Sequence, residues 1–257
     1  MGGDKFCNLV SSDYCEIERK ELNHLLGLTQ LEYIQLQNKV TTVCRYSLDE
    51  AENEWEYTEA GQKLVEKSAS LENRNESLVI LDSAIPSNIP GHDLVDKAKI
   101  SDFIALVCET SALLPSLEVV IDHFSGSVTE YLGDGVLGFF PYLNDDDLYN
   151  SYYASIGCME MVRTIVNSEI KSRYNLPPLD IGIGMACGPA MVRKVAKKHV
   201  KAFGRCVWTA SKLSGGTNLI LIDDILRGKW PSSQNGAISF RTKQLSKNVE
   251  GYKLYPQ

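Results

Sequence analysis

The chain has 257 residues, a formal net charge of −7 and 44% hydrophobic residues. That apolar content supplies a packed core and excludes disorder, while the acidic balance argues against a surface that coats nucleic acid or anionic membrane. Seven cysteines without a CxxC or a Cys/His ligand spacing exclude a zinc site and a disulfide framework, and fit a reduced, cytoplasmic protein.

Taken in chain order, "ELNHLLGLTQLEYIQLQNKVTTV" has helical spacing. "DEAENEWEYTEAGQKLVEKSA" reads as a short strand and then a helix capped by Thr58, a pattern similar to a wing and last helix. Five acids, Asp49, Glu50, Glu52, Glu54 and Glu56, surround that wing and suit DNA phosphates badly, so a helical adaptor is expected rather than a DNA reader. Polar "SLENRNES" reads as a linker and divides the chain into residues 1–74, the adaptor, and residues 75–257. Beyond it, "SLVILDS" is a buried strand ending at Asp82. A helix through "HDLVDKAKISDFIALVCETSALL" and a second one after Pro115 come next. "GSVTEYLGDGVLGFFP" is strand, turn, strand, and "DLYNSYYASIGCMEMVRTIVNSEIKSRY" is a long amphipathic helix with Asp145, Asp146 and Asp147 at its start. "LDIGIGMACG" is a strand, "RCVWTASKLSG" a helix, "TNLILI" a strand, "DDILRGK" a short helix, and "AISFRTK" and "EGYKLYP" are closing strands. That order predicts an α+β fold, a mixed sheet with helices packed against it. Basic "RKVAKKHVK" between these elements reads first as a solvated loop, and the tyrosines 149, 152 and 153 as packing.

Two carboxylates draw attention. Asp134 sits between Gly133 and Gly135 in a hairpin turn, where turn chemistry alone accounts for it. Asp82 leaves a strand that is apolar on both faces, at the sheet's carboxyl edge. If the hairpin lies beside that strand, the two converge. Close carboxylates repel unless a cation sits between them, and such an oxygen set suits Mg2+ or Mn2+ with nucleotide phosphates completing the shell. A phospho-acceptor Asp is a rival reading of residue 82, but a receiver fold would not place a hairpin directly after two helices. Ala84 stands where a DxD phosphatase needs its second Asp.

"EYLGDGVLGFF", "LDIGIGMACGPAMV" and "KAFGRCVWTASKLSG" together resemble class III nucleotidyl cyclase catalytic domains, over about residues 77–257. The resemblance implies the ferredoxin-like mixed sheet of that family. It implies that Asp82 and Asp134, with the Ser83 carbonyl, hold two divalent metal ions, Mn2+ or Mg2+. It implies a homodimer with shared active sites and a nucleoside triphosphate substrate. Asp102 is the alternative first ligand, but it lies in a helical pattern.

Departures from the family pattern set the expected substrate. Trp208 stands at a ribose-binding Asn position, with Thr209 beside it as a partial substitute, and Lys212 at a transition-state Arg position. The Lys that reads adenine in purine cyclases aligns with Val128 or Glu130, and its partner Asp aligns with Lys201. The charges are removed or reversed. A Trp fills volume beside a small ring, and a Lys donates to a carbonyl. The chain is therefore similar to the bacterial pyrimidine cyclases of anti-phage signalling, which make cyclic CMP or cyclic UMP for a separate cyclic-nucleotide-binding effector. Lys247 is a further phosphate contact by this alignment. No nucleic-acid or membrane partner is expected. The competing outcomes are a purine cyclase and a cyclase-like dimerisation or nucleotide-sensing module without activity.

Overall fold

The structure, a computed structural model, describes residues 26–57, 98–142, 145–194, 200–230, 238–246 and 248–256. Helix α1 (Gln30–Tyr57) opens on a capping box. The Thr29 amide donates to Glu32 Oε2 at 2.8 Å and the Glu32 amide to Thr29 Oγ1 at 3.3 Å, so two end amides that the helix leaves over are satisfied. The short strand expected within residues 49–57 is helix instead. Glu- and Ala-rich "DEAENEWE" has good helix propensity, which outweighs the strand preference of Trp55 and Tyr57. The wing-like segment that follows lies outside the described residues, as does the linker.

Helix α2 (Ala98–His123) runs through Pro115 without a break, where two helices were expected. Buried Ala112, Leu113, Leu117 and Val120 flank the proline on the core side, and their packing outweighs its lost amide. Helix α1 lies antiparallel along α2. Glu32 interacts with His123 at one end, and Cys44 hydrogen-bonds Ser116 further along. Tyr33, Leu36, Val40, Cys44 and Leu48, spaced three or four residues apart, form its buried stripe in the same core as α2.

The long helix is three pieces: α3 (Asp145–Met161), a π-helical turn (Val162–Val166) and α4 (Asn167–Tyr174). Ion pairs tie α1 to α4. Arg45 Nη2 meets Glu169 Oε1 at 2.8 Å, and Arg173 pairs with Asp49. The π turn rephases the helix so that Asn167 faces the segment before the next strand. There its amide group donates to the Leu179 carbonyl at 3.1 Å and accepts from the Leu179 amide at 2.7 Å. Tyr152 is fully buried and Tyr149 stacks on Tyr153, so the tyrosines pack, as expected.

Strands β1 (Ser127–Leu132) and β2 (Gly135–Phe139) form the antiparallel hairpin. Strands β3 (Gly182–Met185) and β6 (Leu219–Ile222) pair in parallel. β8 (Val249–Pro256) pairs antiparallel to β6, and β7 (Ile238–Ser246) to β8, which gives a mixed sheet in the order β3-β6-β8-β7. β4 (Met191–Lys194) and β5 (Val200–Phe203) make a separate two-stranded ribbon. The basic run read as a loop therefore contributes a residue pair, Arg193 and Lys194, to β4 and Lys201 to β5. Helices α5 (Arg205–Leu213) and α6 (Asp224–Lys229) follow β5 and β6.

The glycines of "IGIG" explain how closely α5 sits on β3. A Cβ on Gly184 would lie 2.0 Å from the Ala210 carbonyl oxygen and 2.5 Å from the Ser214 nitrogen, and one on Gly182 would lie 2.0 Å from the Gly216 carbonyl oxygen. Only backbone without a side chain fits. Gly184→Ala is accordingly expected to cost about 1–3 kcal/mol, the usual penalty of overpacking, read as a lowered urea midpoint.

Glu109 on α2 is 8% exposed, and burial raises its pKa. It has no ion-pair partner among the described residues. With the folded pKa above the unfolded one, its favourable contribution is complete in acid and disappears as pH rises through the folded value. Glu109→Gln should therefore raise the thermal midpoint at neutral pH, by about 1 kcal/mol of stability. The gain should vanish below the unfolded carboxylate range, and a pH series of melting curves checks both.

Candidate active site

The hairpin turn is two residues long, Gly133 and Asp134. Gly133 takes φ of +69°, and a Cβ there would meet nothing within 4 Å, so the glycine serves conformation and not space. Asp134 is not among the positive-φ residues, and a positive φ at the first turn position alone is the signature of a type II′ hairpin. Asp134 is half-buried at this tip. Tyr131, three residues before it, hydrogen-bonds Glu118 of α2, which holds the hairpin end against that helix.

A register shift between Val128 and Glu130 leaves Thr129 as the extra residue, its hydroxyl donating to the Leu137 carbonyl at 3.2 Å. The two neighbours then differ in surroundings. Val128 packs against the hydrophobic core. Glu130 reaches across to β5, where its Oε2 lies 3.1 Å from Lys201 Nζ. Glu130 is 15% exposed and Lys201 48%, so the pair has one sheltered and one open partner. The contact joins residues 71 positions apart (201 − 130).

Helix α5 starts directly after β5. Trp208 and Lys212 stand four residues apart on one face, with Lys212 Nζ 5.9 Å from the centre of the indole ring. Trp208 is 56% exposed, an open aromatic surface. Thr209 is half-buried beside it. The Ser246 hydroxyl donates to the Lys212 carbonyl at 2.8 Å and fixes the end of α5 against β7. The structure thus brings Glu130 to Lys201 and Trp208 to Lys212. Asp82, Ser83 and Lys247 lie outside the described residues. Among the described residues no group of three His, Cys, Asp or Glu side chains is arranged to hold a metal. Asp134 is the one described member of the expected ligand set, and a carboxylate at a turn tip is a hard oxygen donor of the kind Mg2+ or Mn2+ takes.

Asp223 was missed by sequence reasoning. Buried at the end of β6, it caps α6 by accepting from the Leu226 amide at 2.8 Å, and it also accepts from the Cys187 amide beyond β3 at 3.4 Å. Burial raises its pKa, with the amide hydrogen bonds opposing. Asp before "DILRGK" is an N-cap signal that could have found it.

No family model matches the sequence, and no curated protein matches it. Solved structures do match the fold. The guanylyl cyclase Cya2 superposes with a TM-score of 0.50 at 19% identity, over 58% of this chain and 80% of that one. The guanylate cyclase domain of RhGC from Catenaria anguillulae, in complex with GTP, gives 0.50 at 17% identity over 68% and 93%. The catalytic core of a rhodopsin-guanylyl cyclase with converted specificity, in complex with ATPalphaS, gives 0.50 at 16% identity over 68% and 92%. The described chain therefore has the α+β fold of a nucleotidyl cyclase catalytic domain. No described helix is long and apolar enough to cross a membrane.

Proposed function

We propose that this chain, built on the cyclase catalytic fold, converts a pyrimidine nucleoside triphosphate to its 3′,5′-cyclic monophosphate and pyrophosphate. The observation that carries the reading is the Glu130–Lys201 pair on the strands leading to the Asp134 turn and to α5. One structural neighbour holds GTP and another ATPalphaS on this same fold, so side chains and not the fold select the base. Adenine presents an acceptor, N1, beside the N6 amino donor. A Lys and an Asp in the purine-cyclase order meet that edge. Here the order is reversed, with an acceptor-only carboxylate first and a donor-only ammonium second. The reversed pair matches an N–H beside a carbonyl, which is the edge of uracil. Trp208 supplies a face for a small ring. UTP is thus the preferred substrate and CTP the second pyrimidine. Guanine also carries N–H beside a carbonyl, which makes GTP the competing reading.

In the reaction the ribose 3′-oxygen attacks the α-phosphorus and pyrophosphate leaves. Two divalent ions, when bound by Asp82, Asp134 and the Ser83 carbonyl, supply charge neutralisation at the phosphates. Lys212 lies on the exposed face of α5 and meets phosphate charge as a point cation, without the fork of an Arg. Thr209 offers a hydroxyl to the ribose, and Lys247 a further phosphate contact. Active sites are shared in a homodimer. Its support is the ribbon, where Met191 and Phe203, paired across the two strands on one face, are 66% and 47% exposed, an apolar surface for a second copy to cover. The product serves as a second messenger of the anti-phage kind, read by a separate cyclic-nucleotide-binding effector.

Incubating the purified chain with ATP, GTP, CTP and UTP separately, each with Mn2+, tests the proposal. Cyclic UMP, with less cyclic CMP, is the expected product. Cyclic GMP as the main product would replace the pyrimidine reading by the purine one. Dimeric protein that makes no cyclic nucleotide would overturn the activity and leave a binding or dimerisation module.

A further inference from the structure

We propose that Cys187 and Cys206 form a reversible thiol–disulfide site at the base of the β4–β5 ribbon, oxidised by low-molecular-weight disulfides of the glutathione class. The five described cysteines are free thiols of two kinds. Cys44, Cys108 and Cys158 are buried, and burial pushes the thiols of Cys44 and Cys158 up to about 11 and about 12, which leaves them inert. Cys187 and Cys206 are both partly exposed. They bracket the ribbon. Cys187 lies between β3 and β4, and Cys206 lies in the first turn of α5 after β5.

The two segments touch. Cys206 Sγ lies 3.5 Å from the Gly188 carbonyl oxygen and 3.8 Å from that of Pro189. A Cβ on Gly188 would lie 3.4 Å from Cys206 Cβ and 3.8 Å from its Sγ. The peptide that follows Cys187 therefore rests directly on Cys206, and the Cys187 thiol, which partial burial pushes up, also feels Cys206. Bond formation requires Cys206 to leave two long S–H···O contacts, which are weak, and the Cys187 side chain to turn toward it.

The exchange balances in two steps. The Cys206 thiolate attacks one sulfur of glutathione disulfide, that S–S bond breaks, and one glutathione thiolate leaves with the proton. The Cys187 thiolate then attacks Cys206 Sγ, the mixed disulfide breaks, and the second glutathione leaves as its thiol. Two protein thiols are oxidised and one glutathione disulfide is reduced to two thiols. The new bond closes the ends of a ribbon that two strands alone hold only marginally, so it restricts the ribbon's opening. None of this depends on the nucleotide reading.

The test uses the full chain incubated with oxidised or reduced glutathione, then alkylated and mapped by mass spectrometry. The expected result is a peptide pair linked through Cys187 and Cys206, with loss of both alkylation sites and their return after dithiothreitol. Cys187→Ser and Cys206→Ser should each carry a single glutathione adduct in place of the link. Deuterium uptake at β4 and β5 should slow in the oxidised wild type. Separate adducts on the wild type, or a link through another cysteine, would overturn the site, and unchanged uptake would overturn its effect on the ribbon.

Discussion

Asp134→Ala is expected to abolish nucleotide cyclisation, by at least about 10³-fold, in a chain that stays folded. The size follows from the work assigned to the carboxylate. Charge stabilisation at a transferring phosphate is worth several kcal/mol, and each 1.36 kcal/mol or so is a factor of ten in rate. The small structural effect follows from the turn. Asp134 does not take the positive φ that its neighbour Gly133 does, so alanine can adopt its backbone without strain. Its half-buried side chain lies at a hairpin tip and not in the core. Loss of a turn side chain of this kind changes stability by about 0.5 kcal/mol. Product formation from each triphosphate and a thermal midpoint, measured on one preparation, separate the two effects. Turnover that survives in the variant would remove Asp134 from the metal site.

The double variant Glu130→Lys/Lys201→Asp should move substrate preference from uracil toward adenine. Each single change puts like charges, two lysines or two carboxylates, at a pair whose partners now lie 3.1 Å apart. Both singles should lose activity with every nucleotide. The double restores an ion pair in the opposite order, acceptor where the donor was. A well-placed pair of contacts to a base edge discriminates by about 1–3 kcal/mol. Since Lys201 is 48% exposed, the low end of that range applies, and the ratio of kcat/KM for ATP over UTP should rise about fivefold. The fold should tolerate the exchange, because an ion pair with an open partner contributes little stability. Comparing kcat/KM for four nucleotides in the four proteins reads the effect. A double variant that keeps the wild-type order of substrates would show that the pair does not face the base.

What could be read without coordinates was local. The Gly-Asp-Gly turn was legible because its backbone requirement sits within three residues, and the strands in "LDIGIGMACG" and "TNLILI" because apolar runs bounded by turn residues leave few alternatives, whereas β4 and β5 were hidden in and beside a basic run and the strand expected within residues 49–57 is helix. The "IGIG" strand was recognisable, but its reason, the Ala210 and Gly216 carbonyls against the glycine faces, is a long-range fact. Pro115 misled because its local cost was visible and the packing of Ala112, Leu113 and Leu117 around it was not. Trp55 and Tyr57 misled for a different reason, since their strand preference is outweighed by the helix propensity of the Glu- and Ala-rich residues before them. The π turn at residues 162–166 has no sequence mark, since it shows only as a shift in which side chains face inward. At the site, Glu130 and Lys201 could be aligned one at a time, yet Val128 was an equal candidate for the first position. Only the register shift at Thr129 shows which of the two side chains reaches β5.

The helix that opens the described chain has its own consequence. Because α1 buries Leu36, Val40 and Leu48 in the core that α2 and α3 share, and is pinned to α4 through Arg45 and Asp49, it belongs to the same cooperative unit as the sheet-bearing part. A protein shortened to begin after residue 57 would expose the groove side of α2 and tend to aggregate. A truncation should therefore keep residues 26–57, so that this helix stays with the core it packs in.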